Sequence, residues 1–82
     1  MIEIVSRRFK PTYTDQKFMD ACAEIDRNPP ATWSKYSDMA DVITMEYNEM
    51  IQAKKSGNMA EYKENLIHLS AALLKEWRKI YD

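Results

Sequence analysis

The sequence predicts an all-α protein in which two long helices form an antiparallel hairpin after a short first helix. Three observations support this fold class. Apolar residues recur at helical spacing through two long stretches. The only glycine, Gly57, separates these stretches, and nothing beyond the N-terminal ten residues alternates like a β-strand. A turn this short requires the two long helices to run antiparallel.

The first part of the chain is expected to hold an extended arm and the short helix. The arm covers residues 1–12, where weak alternation has no partner strand. The first helix covers residues 14–27, with Thr14 as its N-cap and an acidic residue next to it, where the helix dipole favours negative charge. Asn28-Pro29-Pro30 ends this helix, because proline lacks a backbone N–H and restricts the preceding residue.

The hairpin is predicted to contain helices over residues 37–55 and 59–80. Ser37 is a suitable N-cap for the first of them. After the glycine turn, Asn58 and Glu61 have capping-box spacing, which places the start of the last helix. The whole chain, residues 1–82, is then a single helical domain.

The last helix has apolar residues on two sides, which predicts a homo-oligomeric bundle, either a dimer or a tetramer. A helix that is apolar on two sides needs more partners than one hairpin mate supplies, and a chain of 82 residues buries only a small core. A second strip holds Ile67, Ala71 and Leu74. The main stripe consists of Tyr62, Leu66, Leu69, Leu73, Trp77 and Ile80.

Composition excludes several classes of protein. The net charge of −1 gives no reason to expect a nucleic-acid partner, and two small basic clusters (Arg7 to Lys10, and Lys75 to Lys79) are expected to be solvated. No apolar run is long enough for a membrane span, and the N-terminus lacks the apolar region of a signal peptide. Cys22 is alone and is expected to be a small buried residue. A cytoplasmic location is expected.

One acidic residue interrupts the apolar face of the second helix. At about 100° per residue, Glu46 falls in the middle of the apolar stripe, and Glu49 lies one turn further on. A carboxylate on a core face is costly unless it is paired, hydrogen-bonded or bound to a metal. The stripe itself contains Met39, Val42, Ile43, Met50 and Ala53.

A polar row on the last helix is predicted to face these two acids. Glu61, Asn65 and His68 follow one another at i, i+4 and i+7 beside the main stripe. Carboxylates at i and i+3 occur at divalent-metal sites in helical bundles, where oxygen ligands favour Mg²⁺ or Mn²⁺. The plainer alternatives are a solvated Glu49, a structural His68, and a Glu46 that pairs with a lysine of another subunit.

The hairpin resembles the MazG-like, all-α nucleoside triphosphate pyrophosphohydrolases. That family carries Glu-Glu-x-x-Glu on one helix and Glu-x-x-Asp on the next. Met45-Glu46-Tyr47-Asn48-Glu49 is similar to the first motif, with Met45 in place of its first glutamate. The run from Asn65 to Ala72, followed by Trp77, is similar to the second. The resemblance covers roughly residues 33–77, and its motifs are short.

The resemblance implies Mg²⁺-dependent hydrolysis of a nucleoside triphosphate. It places Glu46, Glu49, Asn65 and His68 in the catalytic set, with Glu46, Glu49 and His68 as the ligands of Mg²⁺ or Mn²⁺. Asn65 and His68 replace two acidic residues of the family, so this chain has two fewer negative charges there. A shift of one turn in the register would bring an acid of the last helix, Glu61 or Glu64, into the site.

A second interpretation belongs to another functional class. The chain would then be a non-catalytic helical interaction or regulatory protein of the phage or mobile-element type. It would bind a protein partner through its bundle surface and N-terminal arm. The missing carboxylate pair and the small size favour this interpretation, so the sequence leaves enzymatic activity open.

Overall fold

The computed structural model describes residues 10–81, which form three α-helices and one 3-10 helix. These are α1 (Tyr13–Arg27), the 3-10 helix (Ala31–Lys35), α2 (Met39–Ser56) and α3 (Met59–Tyr81). The described residues contain no strand, which confirms the all-α prediction. Most of the predicted arm, residues 1–9, lies outside this range.

Contacts along α3 define how the helices pack. Val42 clusters with Ala72, and Glu46 lies against His68, so α2 and α3 form an antiparallel hairpin. On another side of α3, Asp26 at the end of α1 contacts Lys75. Across residues 10–81, no helix is both long enough and apolar enough to cross a membrane.

The first helix begins earlier than the sequence predicted. Thr12, not Thr14, is the N-cap of α1, and the helix starts at Tyr13. The Asp15 N–H donates to Thr12 Oγ1 (3.1 Å), while the Thr12 N–H donates to Asp15 Oδ2 (2.8 Å). This reciprocal pair forms a capping box, which Thr14 cannot make with the same aspartate.

The second helix begins slightly later than predicted. Asp38, rather than Ser37, is the N-cap of α2, and its Oδ1 accepts from the Ala40 N–H at 3.0 Å. Both residue types suit the position, but the aspartate also places a negative charge at the positive end of the helix dipole.

The hairpin turn depends on Gly57, which has φ +76°. This left-handed conformation lets the Gly57 N–H donate to the Ala53 and Lys54 carbonyls at the end of α2. Asn58 then starts α3, because its Oδ1 accepts from the Glu61 N–H at 3.1 Å.

We expect Gly57→Ala to destabilise the protein by about 1 kcal/mol, because an L side chain is strained at this positive φ. The added Cβ would meet no atom within 4 Å, so the cost is conformational and not steric. Urea denaturation at neutral pH measures it. Gly57→Asn is the matched control and should lose less, since asparagine tolerates the left-handed region better. Equal stability of the alanine variant and the wild type would contradict this explanation.

The core of the described chain is small and uses small residues. Trp33, Val42, Ala71 and Ala72 form its centre, and Val42 is the largest side chain that is fully buried. Four half-buried apolar side chains pack around this centre: Ile25, Met39, Ile43 and Met45.

This core differs from the one that the periodicity of α3 suggested. The alanines, not the leucines, face the core, so the C-terminal half of the predicted main stripe is exposed. Met59, at the start of α3, is also exposed. Small residues allow α1, α2 and the 3-10 helix to approach α3 closely, and the larger side chains are left on the outside.

An ionic cluster fixes the end of α1 to α3. Asp26 Oδ1 lies 3.0 Å from Lys75 Nζ, and Asp26 Oδ2 lies 2.7 Å from an Arg78 guanidinium nitrogen. Lys75 Nζ also donates to the Asp26 backbone carbonyl at 3.1 Å. Two members of the basic cluster that was expected to be solvated therefore have a structural role. Cys22 is a buried free thiol, as expected.

Candidate functional site

The candidate site lies between α2 and α3, where the hairpin brings Glu46 against His68. Glu46 is only 2% exposed, because its position on α2 faces the core. His68 Nδ1 is 3.1 Å from Glu46 Oε2. The acid that interrupts the apolar stripe of α2 thus has an imidazole partner from the next helix.

Two further acids surround this pair. Glu64 lies one turn before His68 on α3, and its Oε1 is 3.8 Å from His68 Nε2. Glu49 is exposed on α2, close enough for its charge to act on Glu46. Among the described residues, no lysine or arginine forms an ion pair with Glu46, Glu49 or Glu64. The site is therefore acidic, with one histidine.

Burial is the main reason that the pKa of Glu46 rises from 4.5 to about 7. The charge and contact of Glu49 raise this pKa further, and Glu64 adds a smaller repulsion. The indole of Trp33 acts in the opposite direction and lowers the pKa. A carboxyl group in this environment exchanges a proton near neutral pH, which an ordinary glutamate does not do.

Three buried polar atoms at or beside the site lack a hydrogen bond of good geometry. They are Glu46 Oε2, Trp33 Nε1 and Asn65 Nδ2. Glu46 Oε2 lies near His68 Nδ1, but their alignment is poor for a hydrogen bond. A buried polar group without a partner costs about 1–3 kcal/mol. The site therefore contains both an acceptor and donors that are free to form hydrogen bonds with a ligand.

The structure thus brings together three of the four residues that the sequence placed in the site. Glu46 contacts His68 and Glu49 acts on Glu46, while the fourth, Asn65, is buried beside them on α3, one turn before His68. A groove of about 370 Å³, lined mostly by polar residue types, runs beside Glu49; its other lining residues are Asn48, Gln52, Ala53, Ser56 and Glu61.

Sequence reasoning assigned no role in the site to Trp33 and treated Glu64 only as a register alternative. Glu64 could have been identified from the sequence, because its i, i+4 spacing from His68 places both side chains on the same surface of α3. Trp33 could not be identified in this way, because its approach to Glu46 depends on how the 3-10 helix packs against the hairpin.

The donor set fits a divalent cation in part. Within residues 10–81, no three His, Cys, Asp or Glu side chains are already arranged to hold a metal ion. However, Glu46 Oε2 is a buried acceptor without a hydrogen bond, and Glu49 offers a second carboxylate. Mg²⁺ and Mn²⁺ prefer oxygen ligands, and the imidazole of His68 favours Mn²⁺ over Mg²⁺.

The chain matches no protein-family profile, no curated protein and no solved structure.

Proposed function

We propose that the hairpin is a MazG-like nucleotide-binding module, with or without pyrophosphohydrolase activity, whose acidic site takes a divalent cation. One observation carries this proposal: Glu46 and Glu64 both contact His68, and Glu49 acts on Glu46, without a lysine or arginine counter-charge among the described residues. Converging acids repel one another, and a cation relieves that repulsion. The short motifs that resemble this family place the same two α2 acids at its metal site.

Each side chain has a distinct part in this proposal. Glu46 and Glu49 would hold the cation, and His68 would serve as a third ligand or keep Glu46 in position. A divalent cation bound there supplies charge neutralisation for phosphate oxygens and lowers the pKa of a bound water. Asn65 carries no charge, and its unused Nδ2 donor suits an acceptor such as a phosphate oxygen or a water.

We expect Mn²⁺ or Mg²⁺ to stabilise the wild-type protein against heat, and a nucleoside triphosphate to add to this effect. At a cation concentration ten times its Kd, the stabilisation is about 1.4 kcal/mol, or about 5–10 °C in Tm for a domain of this size. Differential scanning fluorimetry with EDTA, each cation alone, and each cation with a panel of dNTPs measures it. The same panel, assayed for pyrophosphate release, tests catalysis.

Matched variants assign the cation effect to the site. Glu46→Gln and Glu49→Gln should lose the cation-dependent rise in Tm. Asp41→Asn removes a negative charge from the first turn of the same helix and should keep it. An equal rise in Tm in all three variants would show that the cation binds elsewhere. If cations did not raise the Tm of the wild type, the proposed cation site would be wrong.

The second candidate function is non-catalytic binding of a protein partner. A groove between α1 and α3 favours this function. This groove is about 470 Å³ and mostly apolar, and Lys17 and Lys63 are among its lining residues. Such a surface suits an apolar protein segment that carries acidic residues. The other lining residues are Tyr13, Thr14, Phe18, Leu66 and Ile67.

The same measurements separate the two functions. An interaction module predicts no Tm response to cations or nucleotides. It also predicts that Glu46→Gln is at least as stable as the wild type in every buffer, since the carboxylate would then have no ligand to hold.

A further inference from the structure

A line of large apolar side chains runs along the outside of α3. We define the outer stripe as Leu66, Leu69, Leu73, Trp77 and Ile80. Its first two residues are half-buried, whereas Leu73, Trp77 and Ile80 are 50%, 59% and 69% exposed. Exposure thus increases towards the C-terminal end of the helix, where neither α1 nor α2 covers the stripe.

The interior of the described chain contrasts with this surface. Apart from Trp33 and Val42, its buried apolar residues are one cysteine and three alanines. A large leucine or aromatic residue contributes more on burial than an alanine, at about 25 cal/mol per Å² of apolar area. Much of the apolar surface of this small domain therefore remains exposed to solvent when the chain is a monomer.

The outer stripe is large enough to form a specific interface. With Tyr47 and Tyr81 beside it, its exposed side chains present roughly 600 Å² of apolar surface, judged from typical side-chain areas. That exceeds an incidental patch and approaches the roughly 800 Å² that each partner buries in a stable dimer. An apolar groove of about 440 Å³ between α2 and α3, lined by Ile43, Thr44, Tyr47, Leu69 and Leu73, continues the surface.

The order of the apolar residues is self-complementary. Including Tyr62, the stripe reads 62, 66, 69, 73, 77 and 80, and these positions are nearly symmetric about residue 71. When two such helices run antiparallel, Tyr62 meets Ile80 of the second copy, and Leu69 meets Leu73. A surface that pairs with itself in this way fits a two-fold symmetric dimer.

We propose that the outer stripe is a homodimer interface, in which α3 packs antiparallel against α3 of a second copy. The stripe carries no charged residue, and a net charge of −1 gives two copies little reason to repel each other. Glu64 and His68 lie on the opposite side of α3, each about 160° from Leu66 around the helix. The dimer therefore does not depend on the proposed cation site, and each can fail without the other.

Size-exclusion chromatography with light scattering tests the assembly. The wild type should have about twice the chain mass of 9.7 kDa at micromolar concentration. Leu73→Glu should shift the mass to that of a monomer, because a buried interface cannot accommodate an unpaired carboxylate. Lys79→Glu, an exposed change on the same helix but off the stripe, should remain dimeric. A monomeric wild type, or a dimeric Leu73→Glu, would overturn the proposal.

Cross-linking tests the antiparallel arrangement without relying on a destabilised variant. In a Cys22→Ser background, Leu73→Cys places two thiols about 6 Å apart along the helix axis, whereas Ile80→Cys separates them by about 27 Å. A short bismaleimide should therefore link the Leu73→Cys dimer and leave Ile80→Cys unlinked. Efficient linking of Ile80→Cys would indicate parallel helices and overturn the proposal. If the wild type were monomeric and a variant without residues 1–9 were dimeric, the outer stripe would be the binding surface of that segment and not of a second copy.

Discussion

Glu46→Gln should stabilise the metal-free protein at pH 8, by no more than about 3 kcal/mol. The pKa of Glu46 rises from 4.5 to about 7 on folding, chiefly through burial, and each pKa unit corresponds to about 1.4 kcal/mol. Above pH 7 the wild type must keep a buried, ionised carboxylate that Glu49 and Glu64 repel. Glutamine retains the shape of the side chain and avoids that cost.

The sign of the pH dependence follows from the same shift. Between pH 4.5 and about 7, the folded protein binds more protons than the unfolded chain, so wild-type stability falls as the pH rises through this window. Above about pH 7 the loss is complete. The advantage of Glu46→Gln should therefore be largest at pH 8 and disappear near pH 4.5.

Urea denaturation in EDTA at several pH values measures this difference. Asp41→Asn is the control, because it removes an exposed charge from the same helix. The explanation by burial would be wrong if Glu46→Gln were less stable than the wild type at pH 8. That result would mean that His68 stabilises the ionised carboxylate more than burial penalises it.

Asp26→Asn should destabilise the protein by about 1–2 kcal/mol at neutral pH, since it removes a partly buried ionic cluster and not a solvated pair. The Asp26 side chain is 16% exposed and contacts both Lys75 and Arg78, which are more exposed and regain water when the partner is lost. These contacts hold the C-terminal end of α1 against α3.

The cluster also predicts a loss of stability in acid. Hydrogen bonds from Arg78 and Lys75 hold the pKa of Asp26 below its usual 3.8. A lowered pKa gives stability that is present above pH 3.8 and is lost as the pH falls through the folded-state value. The difference between Asp26→Asn and the wild type should therefore shrink as the pH falls below 3.8.

Chemical denaturation at pH 7 and in acid measures the loss of stability in Asp26→Asn and its decrease at low pH. Glu24→Gln breaks a solvent-exposed pair with Arg27 and should have little effect at either pH. Equal stability of Asp26→Asn and the wild type at pH 7 would show that α1 is held by apolar contacts alone.

The local sequence determined the secondary structure because its determinants act over a few residues. Gly57 meets the need for a left-handed residue at the turn, and Asn58 caps the helix that follows it. Glu46 could be identified as unusual because the period of α2 alone shows that it faces the core. The two misplaced helix starts were errors of one or two residues, where neighbouring side chains compete for the same cap.

Only the tertiary structure decided which face of α3 is buried and which partners the charged residues have. Periodicity ranked the leucine stripe of α3 first, but close helix approach buries Ala71 and Ala72 and leaves Leu73 exposed. The Asp26 cluster and the Glu46–His68 pair join residues far apart in the chain, and their contacts depend on how the helices cross. Local periodicity carries no information about that crossing, which packing of the whole chain sets.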